Sequence, residues 1–262
     1  MEKVLATYDF FKDKFEKIYL NKPKKRYIDF NQGVDARLIT EEKVKRLSEI
    51  PIRPLRIAFD HWNLRETYEQ AVRLAAKYGI THLSNYLLYN FKDKPIELYY
   101  RMKMNVDLCE ELGISIYSFP MKYHPIQDPE YFRVRTYLGQ YWNRKFVRSI
   151  QAILNSTKGK VGRGKSFFER AFGKDELGFE ERLYMPEAML IYRDYFEYET
   201  ELEPEWWYEF NKLSNNKKDI LKKIVGENDF SNIHSLTSDE EVLSVLRYYT
   251  ITRNEYEKQH IL

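Results

Sequence analysis

Eight polar side chains in the first half of the chain can hold a ligand: Asn31, Gln32, Asp35, Arg37, Asp60, His61, Asn90 and Tyr123. Carboxylates and amide oxygens accept hydrogen bonds, a guanidinium donates them, and Asp35 and Arg37 supply both signs of charge two residues apart. Their placement makes them a set, because each sits at or just past the end of a short apolar run. Strand ends are also simply where chains turn polar, and Asp35 with Arg37 can be a plain salt bridge and Asn90 a turn residue. Four coincident ends weaken that explanation.

The runs that position them recur four times between residues 27 and 123. They are YIDFNQGVDARL (Tyr27 to Leu38), LRIAFDHW from Leu55, HLSNYLLYN ending at Asn90, and ISIYSFPMKYHP passing through Tyr123. Between them lie segments with apolar residues at helical spacing. Thr40 before Glu41 and Glu42 reads as an N-cap for a short helix reaching Ile50; residues 65–78 form a helix stopped at Gly79, and residues 92–113 one closed at Gly113. Alternating strand and helix predicts an α/β fold with a parallel sheet, and ligand sites in such sheets lie at the carboxyl ends of the strands. An amphipathic helix over residues 2–20 is expected to lead into the first strand.

The character changes near Asp128, so domains of 1–127 and 128–262 are expected. Residues 129–155 read as a helical, basic and aromatic stretch. The loop TKGKVGRGK (157–165) reads as a mobile basic surface loop, and helices are expected over 167–172, over 179–198 with a break at Pro186, after Pro204 and within 239–249. From Tyr131 to Asp175 there are eleven Lys or Arg and two acids. Segment 131–172 suits a nucleic-acid surface, with cations on phosphates and Tyr141, Trp142 and Phe146 on bases. The spacing of Trp142, Phe146, Ile150 and Ile153 is helical, however, and favours a buried stripe with the cations as its solvated face.

Composition excludes several classes. With 43% hydrophobic and 16% aromatic residues, the chain has ample material for a core. No run approaches the roughly 18 apolar residues of a membrane span, and the charged N-terminus lacks the apolar centre of a signal peptide, so a cytoplasmic protein without a membrane partner is expected. There is no P-loop, no serine elbow and no histidine pair at zinc spacing. The single cysteine, Cys109, falls in an apolar helical segment and reads as a core residue, so no intrachain disulfide forms and no metal site is expected.

FNQGVDARL, LRIAFDHW, SNYLLYNFKDKPIELYYRM and SFPMKYHPI together resemble the second half of a radical S-adenosylmethionine (radical SAM) enzyme barrel, over residues 27–126. YWNRKFVRSIQAILNSTKGKVGRGKSFFERAFG and LYMPEAMLIYR resemble the C-terminal extension of an uncharacterised bacterial branch of those proteins. The resemblance implies a partial, half TIM-like barrel of four parallel βα units followed by a mostly α-helical C-terminal region. It implies SAM as cofactor, with Gln32, Asp35, Arg37, Asp60 and Asn90 as candidate contacts. A carboxylate suits ribose hydroxyls and a guanidinium suits the SAM carboxylate. The family's 4Fe-4S cluster rides on a CxxxCxxC loop that is missing from this sequence, whose start coincides with the middle of the family barrel. An enzyme of this type is therefore expected to be competent only with a cluster-bearing half, supplied as a longer chain or a second polypeptide. Self-association through the open edge of the first strand (27–34) is the further expectation. The alternative is a cluster-free binding module that docks nucleic acid or a protein through segment 131–172.

Overall fold

The computed structural model describes residues 17–19, 22–24 and 27–251. The helix expected over residues 2–20 lies outside these residues except at its end, and there the expectation fails. Lys17–Tyr19 (β1) is a strand, paired antiparallel with Lys22–Lys24 (β2) with Ile18 opposite Pro23. A two-stranded ribbon consists only of edges, so a proline that cannot donate to a ladder is tolerated in it.

The chain divides into two compact units, one comprising Met1–Tyr89, Glu97–Met121 and Lys160–Phe168, the other Asn90–Ile96, Lys122–Gly159 and Glu169–Leu262. The first carries a four-stranded parallel sheet whose spatial order is its chain order: Val34–Asp35 (β3), Leu55–Ala58 (β4), His82–Tyr89 (β5) and Ser115–Lys122 (β6). Val34 pairs with Ile57 and Asp35 with Ala58, while Leu55 pairs with Leu83 and Arg56 with Ser84. The first strand is shorter than its apolar run suggests. Tyr27 to Phe30 contributes one parallel bridge, Ile28 to Ile52, before a turn at Asn31 and Gln32 hands over through Gly33 at φ 77°. Asp35 therefore lies in the strand and not beyond it.

Three helices cross between these strands: Glu41–Ser48 (α1), Arg65–Lys77 (α2) and Pro95–Leu112 (α3). Thr40 caps α1 by accepting from the Lys43 N–H, and Gly79 and Gly113 follow α2 and α3 at φ 78° and 66°, a conformation glycine adopts without steric cost. All three helices lie on the same face of the sheet. Asn85 of β5 donates to Tyr68 of α2 at 2.7 Å, and Asn105 of α3 donates to Ser118 of β6 at 2.8 Å. Lys77 reaches Glu41 at 2.5 Å, and Arg73 forks onto Glu111 at 2.6 and 2.8 Å, tying each helix to the next. Cys109 is buried, as its apolar context predicts, and its sulfur accepts the Ile116 N–H at 3.1 Å.

The second unit is helical. Within it, residues 129–155 are not one helix: Tyr131–Val134 (α4) ends at Arg135 in a left-handed conformation (φ 50°), and the next helix is Arg144–Ser156 (α5), capped by Asn143. Trp142, Ile150 and Ile153 are buried and Phe146 is half-buried, so the helical spacing marks a core stripe. The break at Pro186 falls between Glu176–Tyr184 and Glu187–Ile191. Helices at Leu202–Lys212, Asn215–Glu227 and Glu240–Leu246 complete a core that buries Trp206, Leu221, Val225 and Leu246 completely. Among the described residues, no helix is long and apolar enough to cross a membrane.

Candidate functional site

In the first unit the carboxyl ends of β3 and β4 carry Asp35 and Asp60, with Gln32 in the turn before β3 and Arg37 in the 3-10 helix Ala36–Leu38 after it. Asp35 opens that helix by accepting the Arg37 N–H at 2.9 Å. The Arg37 guanidinium folds back onto the same carboxylate, Nε at 3.0 and 3.1 Å and Nη2 at 2.6 Å. These hydrogen bonds hold the Asp35 carboxyl below its ordinary range and raise the affinity of Arg37 for its proton. The pair is solvent-exposed, so a ligand can exchange for either partner at small cost. Gln32 and Asp60 are exposed, and the Asp60 carboxylate has no hydrogen-bond or ion-pair partner among the described residues.

Asn90, the fifth candidate, belongs to the second unit and is buried. Its side chain is occupied by backbone: Nδ2 donates to the Tyr137 carbonyl at 3.0 Å and the Tyr123 carbonyl at 3.4 Å, and Oδ1 accepts the Gly139 N–H at 3.0 Å. Its own φ is 66°, a region asparagine tolerates better than most residues. Asn90 therefore pins the 123–139 segment. Asn90→Ala is expected to lower stability by about 2–3 kcal/mol through lost and orphaned hydrogen bonds, whereas Asp35→Ala, which removes an exposed cap and ion pair, should lower the melting temperature much less. Thermal melts of the two variants check this contrast.

The face of the sheet opposite the helices is one the sequence did not single out. Along β5 the residues at His82, Ser84, Tyr86 and Leu88 alternate with the helix-facing Leu83, Asn85, Leu87 and Tyr89. Arg56 of β4 lies on this face, where its guanidinium binds Asp29 through two 2.8 Å hydrogen bonds and reaches Ser84 at 3.3 Å and Tyr86 at 3.4 Å. Tyr86 meets Phe119 of β6 with ring centroids 5.8 Å apart. Tyr86 (37%), Tyr117 (39%) and Met121 (49%) are exposed, and no described helix of the unit covers them. The signal was present as period-two alternation, but each of these residues alone looks like an ordinary outward position.

The basic loop is not free. Val161 and Ser118 exchange two 2.8 Å backbone hydrogen bonds in an antiparallel bridge that covers the β6 edge, and Phe168 stacks on Tyr99 at 5.5 Å. The β6 edge is thus covered by the chain itself.

Two implied groups can be tested against these residues. An iron–sulfur cluster does not fit: it needs three thiolates, and the chain has one cysteine, buried, with its thiol pushed up by burial. SAM suits the exposed Asp35–Arg37 pair and the Asp60 carboxylate in residue type. Asn90, with both ends of its amide engaged, suits it less. No family model, curated protein or solved structure matches the chain.

Proposed function

We propose that the strands of the first unit are half of a radical SAM-type barrel that binds SAM at their carboxyl ends, with the cluster held by thiolates outside these 262 residues. The observation that carries this reading is the winding. Four parallel strands follow in chain order with every crossover helix on one face, which is how a barrel is wound, whereas doubly wound sheets reverse strand order and place helices on both faces. The uncovered face, with Arg56, Ser84, Tyr86 and Phe119, then lines the barrel interior. Gln32, Asp35, Arg37 and Asp60 bind and orient the ligand, and Asn90, just after the third of these strands, holds the segment 123–139 that follows the fourth. The completing half is a cluster-bearing polypeptide that pairs along the β3 edge.

The test is calorimetric titration of SAM into the chain co-expressed with a CxxxCxxC-bearing half, in wild type and in Asp35→Ala and Arg37→Ala. Loss of a charge-assisted hydrogen bond to a ligand, about 1.5–3 kcal/mol, corresponds to an affinity loss of about 10- to 100-fold. Association of the two halves should be unaffected in both variants. Unchanged SAM affinity would return Asp35 and Arg37 to a local ion pair.

A further inference from the structure

Several cations of the first unit are neutralised locally. Arg37, Arg56, Arg73, Lys77 and Lys103 all sit in ion pairs. Arg53, Lys160 and Arg163 are exposed and, like Lys43, Lys45 and Lys165, have no ion pair among the described residues; the first three lie on or beside the sheet. Arg53 and Arg163 lie toward the amino ends of the strands, the end opposite to Asp35 and Asp60, and Lys160 lies beside the middle of β6. Arg53 lies just before β4, His82 opens β5, and residues 160–163 run beside β6 through the Val161–Ser118 bridge. Burial, and then the charges of Arg53 and Arg163, depress the proton affinity of His82.

Aromatic rings accompany this row. The Arg53 guanidinium stands 5.3 Å from the Tyr27 ring centre, and Lys160 Nζ stands 5.5 Å from that of Tyr117. Tyr27 is 50% exposed and Tyr117 39%. Gly162 lies close to the Tyr117 ring, where an added Cβ would come within 3.2 Å of it. Asp29, two residues from Tyr27, is engaged by Arg56. At a strand spacing of about 4.8 Å, the row from Tyr27 to Arg163 crosses about 15–20 Å and is long enough for several nucleotides.

We infer that this amino-end rim binds single-stranded nucleic acid, with Arg53, Lys160 and Arg163 on phosphates and Tyr27 and Tyr117 as stacking platforms for bases. Unpaired cations interleaved with exposed rings on an open sheet are what sequence-tolerant single-strand binding requires, since every base has a face to stack and every nucleotide a phosphate to neutralise. The surface differs from the helical stretch 129–155, whose aromatic stripe is internal. The inference needs neither SAM nor a second polypeptide and is tested on the chain alone, where Tyr117 is exposed; a completed barrel would enclose that ring, so the two readings compete for it only when the second half is present.

The experiment is fluorescence anisotropy of a labelled oligouridylate 12-mer with the full chain across a salt series. Binding should weaken with salt, and the R53A/K160A/R163A triple variant should lose at least tenfold in affinity and flatten the log–log salt slope by about 2. Tyr117→Leu should cost about tenfold while leaving that slope intact. Arg73→Ala, on the helix-covered face, should bind as wild type, and melting curves establish that each variant is folded. Absence of binding at low salt, wild-type affinity in the triple or Tyr117 variant, or equal affinity for a duplex of the same length would each overturn the proposal.

Discussion

Arg101→Met is expected to destabilise the chain by about 3–5 kcal/mol, among the largest losses available to a single substitution outside the packed apolar core. The Arg101 side chain is buried, and its guanidinium donates to the carbonyls of Phe59 (3.2 Å), Asp60 (2.9 Å) and Leu88 (2.8 Å) and to Glu97 in its own helix (3.2 Å). Those carbonyls end the β4 and β5 ladders, where the sheet has no further partner to offer them. Methionine fills comparable volume, so the substitution isolates the loss of hydrogen bonds. Three carbonyls are left under-satisfied, each costing about 1–3 kcal/mol. At about 2–4 °C per kcal/mol for a chain of this size, the melting temperature should fall by about 6–20 °C. Lysine cannot fork to three acceptors, so Arg101→Lys should recover only part of the loss. A loss below about 1 kcal/mol by denaturant titration, well under the cost of orphaned carbonyls, would show that solvent replaces the guanidinium and that the strand ends are open.

The second large effect is a pH dependence in the helical unit. Lys145 of α5 is fully buried, donates to the Met185 carbonyl, and lies 5.8 Å from the Tyr249 ring centre. Burial lowers its pKa from 10.5 to about 7, with Glu187 opposing the shift and Arg148 adding to it. Between pH 7 and 10.5 the unfolded chain therefore holds a proton that the folded chain does not, and stability rises with pH across that window. The slope approaches about 1.4 kcal/mol per pH unit. Above about pH 10 buried tyrosines reverse the trend; Tyr184, raised to about 12 mainly by burial, is one of them. Urea unfolding of wild type and Lys145→Met at about pH 7, 8 and 9 should show the slope in the first and its loss in the second, whatever the offset from the orphaned Met185 carbonyl. Parallel profiles would mean that water reaches the ammonium.

The βα rhythm was legible because it rests on local chemistry: Thr40 as a cap, Gly79 and Gly113 at left-handed stops, and apolar alternation in β4 to β6. What was hidden depends on tertiary neighbours. Helical spacing over residues 2–20 did not reveal the Lys17–Tyr19 strand, because pairing with Lys22–Lys24 overrides periodicity. Residue spacing over 129–155 suggests one helical stretch, although Arg135 takes a left-handed turn and Gly139 packs against the carbonyls of Asn90 and Phe91 too closely for any side chain. The candidate residues emerged with different partners: Asp35 and Arg37 hold each other, Asn90 holds backbone, and Asp60 contributes a carbonyl to Arg101. The Arg56–Asp29 pair on the uncovered face could not be read from spacing, since its members lie 27 residues apart.

That uncovered face is where the barrel reading is most exposed to test. Hydroxyl-radical footprinting reports side-chain access residue by residue, and Tyr86, Tyr117 and Met121 lie on the uncovered face while Tyr68 of α2 and Tyr99 of α3 are buried. In the chain alone, the first three should label strongly and the last two weakly. On assembly with a cluster-bearing half, Tyr86, Tyr117 and Met121 should become protected while Tyr68 and Tyr99 stay as they were. Protection of Tyr86 and Tyr117 already in the isolated chain, or labelling unchanged on assembly, would contradict the account of this sheet as half of a barrel with an open interior.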